Sequence, residues 1–91
     1  PEIEANHGYC DFFLLADTKK YPTLRHSYII ELKYLNSKAT VEEVKIIKEQ
    51  ALEQLKKYIT DSNIQSLSVG TQLHGIYLIF QQGKTTEIGE I

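Results

Sequence analysis

Asp11, Glu31 and Lys33 are charges set among apolar neighbours, and their types suit one chemistry in particular. On alternating strands, Asp11 shares a face with Tyr9, Phe13 and Leu15, while Glu31 and Lys33 share one with Ile29 and Leu35. An isolated charge in such surroundings costs several kcal/mol, roughly, unless something compensates it. If the two strands are neighbours and these faces coincide, the three charges compensate one another. Two carboxylates aimed at one point form a hard-oxygen site suited to Mg²⁺ (or Mn²⁺), which waters and the backbone carbonyl of Leu32 would complete. A lysine ammonium beside it could orient an attacking water or stabilise charge on a phosphate oxygen. Those are the requirements of phosphodiester hydrolysis.

The acid-x-Lys tripeptide alone carries little weight, because Asp17-Thr18-Lys19 and Glu43-Val44-Lys45 repeat it in a loop and on a helix. What separates Glu31-Leu32-Lys33 is its apolar strand, "YIIELKYL", whose even positions Tyr28, Ile30, Leu32 and Tyr34 read as core-facing. Gln54 and Tyr58 add a second signal. Their i,i+4 spacing places an amide and a phenol on one helix face, where both can reach Lys33, a carboxylate or a substrate phosphate.

The elements that would position these residues follow from the pattern. Residues 8–16, "GYCDFFLLA", read as a buried strand, and "DTKKYPT" as a loop leading to a second strand at 27–35. The connection is too short for a parallel crossover, so the two pair antiparallel. Thr40 with Glu43 makes a capping box, and Val44, Ile47, Ala51, Leu55 and Tyr58 recur at helical spacing, which predicts a long helix ending near Ile59. The stretch "TDSNIQSLSVGTQ" fits either a short capped helical turn or a weak strand. Residues 73–81 read as another buried strand, and "TTEIGEI" as a last edge strand after a turn at Gln82–Lys84. The fold class is therefore α/β: a small mixed sheet with the long helix on one face, carrying the chain to a strand parallel to its predecessor.

Ninety-one residues make a single domain spanning 1–91. A composition of 42% hydrophobic and 24% charged residues argues against disorder. The net charge of −2 provides no global attraction to nucleic acid, so such binding must rely on a local patch or a metal. No apolar run is long enough to span a bilayer. Cys10, the lone cysteine, excludes an internal disulfide and suits a reducing, cytoplasmic setting. It alternates away from Asp11 and reads as a small core residue. His7, His26 and His74 read as loop and strand-start residues, and Lys19, Lys20 and Arg25 as a solvated cluster with phosphate contact as the alternative. The chain holds no methionine and begins abruptly, as a piece of a longer protein would.

Asp11, then Glu31-Leu32-Lys33, then Gln54-Leu55-Lys56-Lys57-Tyr58 resemble the PD-(D/E)XK nuclease superfamily, with its acid, (D/E)-x-K and Q-x-x-x-Y along successive elements. The string "GYCDFFL…SYIIELKYL…EQALEQLKKY…LHGIYLIF" is similar to nuclease-like domains that follow an ATPase-like domain in anaerobic gut bacteria, and the likeness covers nearly the whole chain. The resemblance implies a restriction-endonuclease-like core and a Mg²⁺-dependent nuclease acting on nucleic acid, DNA first. Asp11 and Glu31 would be metal ligands, Lys33 catalytic, and Gln54 and Tyr58 supporting. It also implies an upstream ATPase-like domain as partner. The chain departs from the pattern in lacking the leading helix, whose acidic residue Glu2 or Glu4 could replace, and in having Cys10 where a proline is usual. The competing reading is an inactive interaction or regulatory module in which the same charges form an ion-pair network and two copies pair through a sheet edge.

Overall fold

The computed structural model describes residues 3–5, 8–10, 12–84 and 87–91, with backbone alone for 3–5 and 8–10. Eight elements follow in chain order: β1 (Ile3–Ala5), β2 (Gly8–Cys10), β3 (Phe12–Leu14), β4 (His26–Leu35), α1 (Val41–Ile59), α2 (Ser62–Leu67), β5 (Gln72–Gln81) and β6 (Glu87–Glu90). β1 and β2 form an antiparallel pair of their own. The main sheet has four strands in the order β3-β4-β5-β6, antiparallel at both ends and parallel in the middle. This is the small mixed sheet with a long helix on one face expected of a restriction-endonuclease-like core.

Local chemistry accounts for α1. Thr40 caps it, its hydroxyl accepting from the Glu43 N–H at 3.1 Å while the Glu43 carboxylate accepts from the Thr40 N–H at 3.4 Å. Glu42 and Glu43 in the first turn and Lys56 and Lys57 in the last both complement the helix dipole. The predicted stripe is the covered one: Ala51, Leu55 and Tyr58 are buried, and Val44 and Ile47 half-buried. The ambiguous stretch after α1 resolves as a helical turn. Asp61, itself buried, caps α2 by accepting from the Asn63 and Ile64 N–H groups at 2.9 and 3.2 Å. Gly70, at φ +84°, then turns the chain into β5.

Two expectations need correction. The strand expected over residues 8–16 is two strands in different sheets, β2 pairing with β1 and β3 with β4. The second concerns the faces of β4. Its odd positions are the ones under α1, with Ser27, Ile29 and Glu31 buried. The even positions, expected to face the core, lie on the opposite side, half-buried at Tyr28, Ile30 and Leu32 and 76% exposed at Tyr34. The core is Phe13, Ile29, Ala51, Leu55, Tyr58, Ile64, Tyr77 and Ile79. Strand alternation could not decide between two apolar faces; the single long helix did, by packing on one.

The edge strand β6 is held to this core side. Lys48 of α1 pairs with Glu87 at 2.8 Å and lies over the Tyr77 ring. Hydrogen bonds to Glu87 first, and then to Tyr77, hold the Lys48 ammonium above lysine's ordinary range. A raised lysine contributes at neutral pH and loses its contribution only as pH rises through that raised range. Tyr77 stands opposite Gly89 in the ladder, its ring over the glycine where a Cβ would be. No helix among the described residues is long and apolar enough to cross a membrane.

Gly89→Ala must therefore push the Tyr77 ring out of the core. The expected loss is about 1–3 kcal/mol in chemical denaturation. A variant as stable as the parent would mean that the ring does not depend on that space.

Candidate active site

Glu31 and Lys33 sit two residues apart on the core face of β4, their charged groups 3.6 Å apart. Glu31 is 6% exposed, whereas the Lys33 side chain is 32% exposed, so the carboxylate forms the floor and the ammonium reaches the opening. Leu32 lies between them with its side chain on the other face, in register with Leu78. Opposite stands α1. Its last two turns present Gln54, half-buried, and Tyr58, 1% exposed and part of the core. Strand and helix enclose an open, polar cleft of about 470 Å³ lined by Glu31, Lys33, Gln50, Glu53, Gln54, Lys57 and Tyr58.

Four of the expected site residues, Glu31, Lys33, Gln54 and Tyr58, thus converge on one cleft. The reason is the crossover. β4 and β5 pair parallel over ten residues, so the chain must return along the sheet, and α1 makes that return lying against the odd face of β4. Asp11 lies outside the described residues. Phe12, the next residue, pairs with Ile30, the residue before Glu31. His7, Glu2 and the side chains of Glu4 and Cys10 also lie outside the described residues. Among the described residues, no three His, Cys, Asp or Glu side chains come together as a metal-holding group.

Other expectations fall elsewhere. Lys19, Lys20 and Arg25 do not line the cleft; the Arg25 guanidinium turns back to the Pro22 and Leu24 carbonyls of its own loop, and Lys20 lies over Tyr21. The histidines are less solitary than their spacing suggested. Glu90 Oε2 is 2.8 Å from His74 Nδ1, and His74 Nε2 is 2.7 Å from His26 Nδ1. A carboxylate only accepts, so with His74 neutral its Nδ1–H donates to Glu90 and its Nε2 accepts from His26. This chain ties β4, β5 and β6 together on the face away from the cleft, with Tyr28 stacked on His74. It links residues 48 and 16 positions apart, which no local spacing reveals.

Gln50, Glu53 and Lys57 are cleft residues not anticipated from the sequence. Helical spacing puts Gln50 one turn before Gln54 and Lys57 three residues after it, but nothing in that spacing alone separates them from solvated helix residues.

The donor set suits a hard divalent ion. Mg²⁺ keeps several of its waters and needs only one or two carboxylates. The Glu31 carboxylate, on the floor of an open polar cleft, could supply one, and the sequence offers Asp11 for the other.

Comparison with known families gives one result. A model described as the PD-(D/E)XK nuclease superfamily matches residues 1–90. No curated protein and no solved structure matches the chain.

Because Lys33 compensates a nearly buried carboxylate, Lys33→Met is expected to destabilise the fold. The loss is about 1–2 kcal/mol, below the figure for a fully buried pair because the ammonium is partly solvated. Adding Glu31→Gln should recover most of it, so that the two changes couple in a double-mutant cycle. Additive losses in denaturant melts would show that the pair does not carry this role.

Proposed function

The chain belongs to the PD-(D/E)XK nuclease superfamily, and from that premise we propose that it hydrolyses phosphodiester bonds of nucleic acid, DNA first, with Mg²⁺ or Mn²⁺. Members of the superfamily generally use divalent metal ions. The observation that carries the proposal is the meeting of Glu31, Lys33, Gln54 and Tyr58 on one open cleft.

Glu31 and Asp11 would hold the ion, with the Leu32 carbonyl as a further oxygen donor. What supports Asp11 is its place immediately before Phe12, whose ladder partner immediately precedes Glu31. When bound, the ion would acidify a water and offset the charge that develops on the phosphate. The remaining work falls to the protein. Lys33, the partly exposed ammonium beside the carboxylate, orients the water and donates to a non-bridging oxygen. Gln54 and Tyr58 supply an amide and a phenol from the facing helix. They hold Lys33 and the phosphate in line, a contribution of position rather than proton transfer. Water adds at phosphorus and one ester P–O bond breaks, leaving a phosphate monoester and a hydroxyl. By the same resemblance, we place this domain after an ATPase-like domain in the same chain.

A second reading is an inactive interaction module. It is favoured by the far face of the sheet, where Leu14, Tyr34 and Ile88 are exposed beside half-buried Ile30, Leu32, Ile76, Leu78 and Phe80.

The test is cleavage of end-labelled DNA with Mg²⁺ or Mn²⁺ against a chelated control. Asp11→Ala and Lys33→Ala should each lower the rate by about 10³-fold or more, and Tyr58→Phe by about tenfold, with the fold retained. Wild-type rates in both Asp11→Ala and Lys33→Ala would remove the site. Metal titration followed by NMR separates the two readings: shifts confined to Asp11 and Glu31 support the enzyme, and no response at millimolar metal supports the module.

A further inference from the structure

We propose that Lys57 is a substrate-positioning residue that takes a phosphate flanking the scissile one, so that the strand runs along the last two turns of α1. This rests on the nuclease reading above and deepens it.

The cleft contains two ammonium groups, and they stand in different electrostatic positions. Lys33 is committed to Glu31 at 3.6 Å. Outside the cleft, Lys48 is committed to Glu87 at 2.8 Å. Lys57 lines the same cleft as Lys33, and among the described residues its ammonium enters no ion pair. Glu53, four residues earlier, has the spacing of a helical ion pair with it, yet the two do not pair. Among the described residues, Lys57 is thus the cation of the cleft without an ion-pair partner.

Its place along the helix fits a polymer. Gln50, Gln54 and Lys57 line one cleft across seven residues, about 10 Å at the helical rise. A nucleic-acid strand presents a negative charge at each nucleotide, so a chain held at Lys33 brings a neighbouring phosphate along this wall. The amide of Gln50 adds a neutral donor farther along. Among the described residues the cleft is lined by two lysines and two glutamates, whose charges cancel, and the chain carries −2 overall. Attraction to phosphate must therefore come from individual contacts, which makes the loss of one uncommitted cation measurable.

A purely structural role for Lys57 is the dipole of α1, since both Lys56 and Lys57 lie in its last turn. That supplies the control. Lys56 faces a different surface, with Glu49, Leu52 and Glu53, and does not line the cleft. Lys57→Gln and Lys56→Gln remove the same charge from the same turn.

Binding is read by fluorescence anisotropy of a labelled 20-mer, single-stranded and duplex, in Ca²⁺ to suppress cleavage, across a salt series, with thermal melts of each variant. The expected result is about three- to tenfold weaker binding for Lys57→Gln and a salt dependence shallower by about 0.7–0.9 in logarithmic slope. Lys56→Gln should stay within about twofold of the parent while losing the same melting temperature as Lys57→Gln. Equal effects of the two variants on binding, with the parent binding normally, would overturn the inference and leave the nuclease reading standing. A parent that binds neither oligonucleotide would overturn both.

Discussion

A carboxylate on the buried face of a central strand is the constraint around which this small domain is arranged. Glu31 shares the buried face of β4 with Ile29 and lines the cleft with Tyr58 of α1, and it is almost wholly removed from water. Desolvating a carboxylate is unfavourable, and an apolar residue of similar size would serve packing better. The chain answers with Lys33 on the same face, placed farther toward solvent, so the charge pair bridges the core and the cleft. The cleft exists because the core stops there: beyond the apolar contacts of Ala51, Leu55 and Tyr58, the facing walls of β4 and α1 are polar. A costly feature at the end of a well-made core is where function is expected to concentrate.

The topology extends this. A parallel β4–β5 pair obliges a crossover, and one 19-residue helix provides it. That helix buries the odd face of β4 and at the same time presents Gln54 and Tyr58 to Glu31 and Lys33. Stability and site assembly therefore share contacts. Tyr58 shows the overlap most clearly, since it is both a buried core aromatic and a wall of the cleft. The Glu90–His74–His26 chain on the far face and the Lys48–Glu87 pair on the helix side hold the edge strand, leaving the cleft wall free of that task.

Much of this was legible in the chain. Helix α1 was, down to its cap, because capping boxes and 3.6-residue periodicity are local and span many residues. So were β4 and β5 and the convergence of Glu31, Lys33, Gln54 and Tyr58, since charges inside apolar strands conflict with their surroundings and call for a partner. The division of residues 8–14 between two sheets was not legible, because an unbroken apolar run carries no mark of where its hydrogen-bond partner changes. Nor was the role of Gln50, Glu53 and Lys57, which read as ordinary solvated helix residues until a strand stands opposite them. The histidine chain was hidden for a related reason: its members meet only across three strands.

The sequence by itself determined the types of the longest elements, β4, α1 and β5, with both ends of that helix, and the identity of the residues in chemical conflict with their surroundings. Those properties depend on spacing along a few turns or one strand, which the chain carries directly. Only the tertiary structure decided which of two apolar faces of β4 became the interior, and hence that Glu31 is buried while Tyr34 is exposed. It also decided that Lys57 belongs to the cleft and Lys56 does not. The physical reason is that a strand with two apolar faces is symmetric until a partner packs on one of them. The partner is a helix whose position comes from the parallel pairing of strands more than forty residues apart.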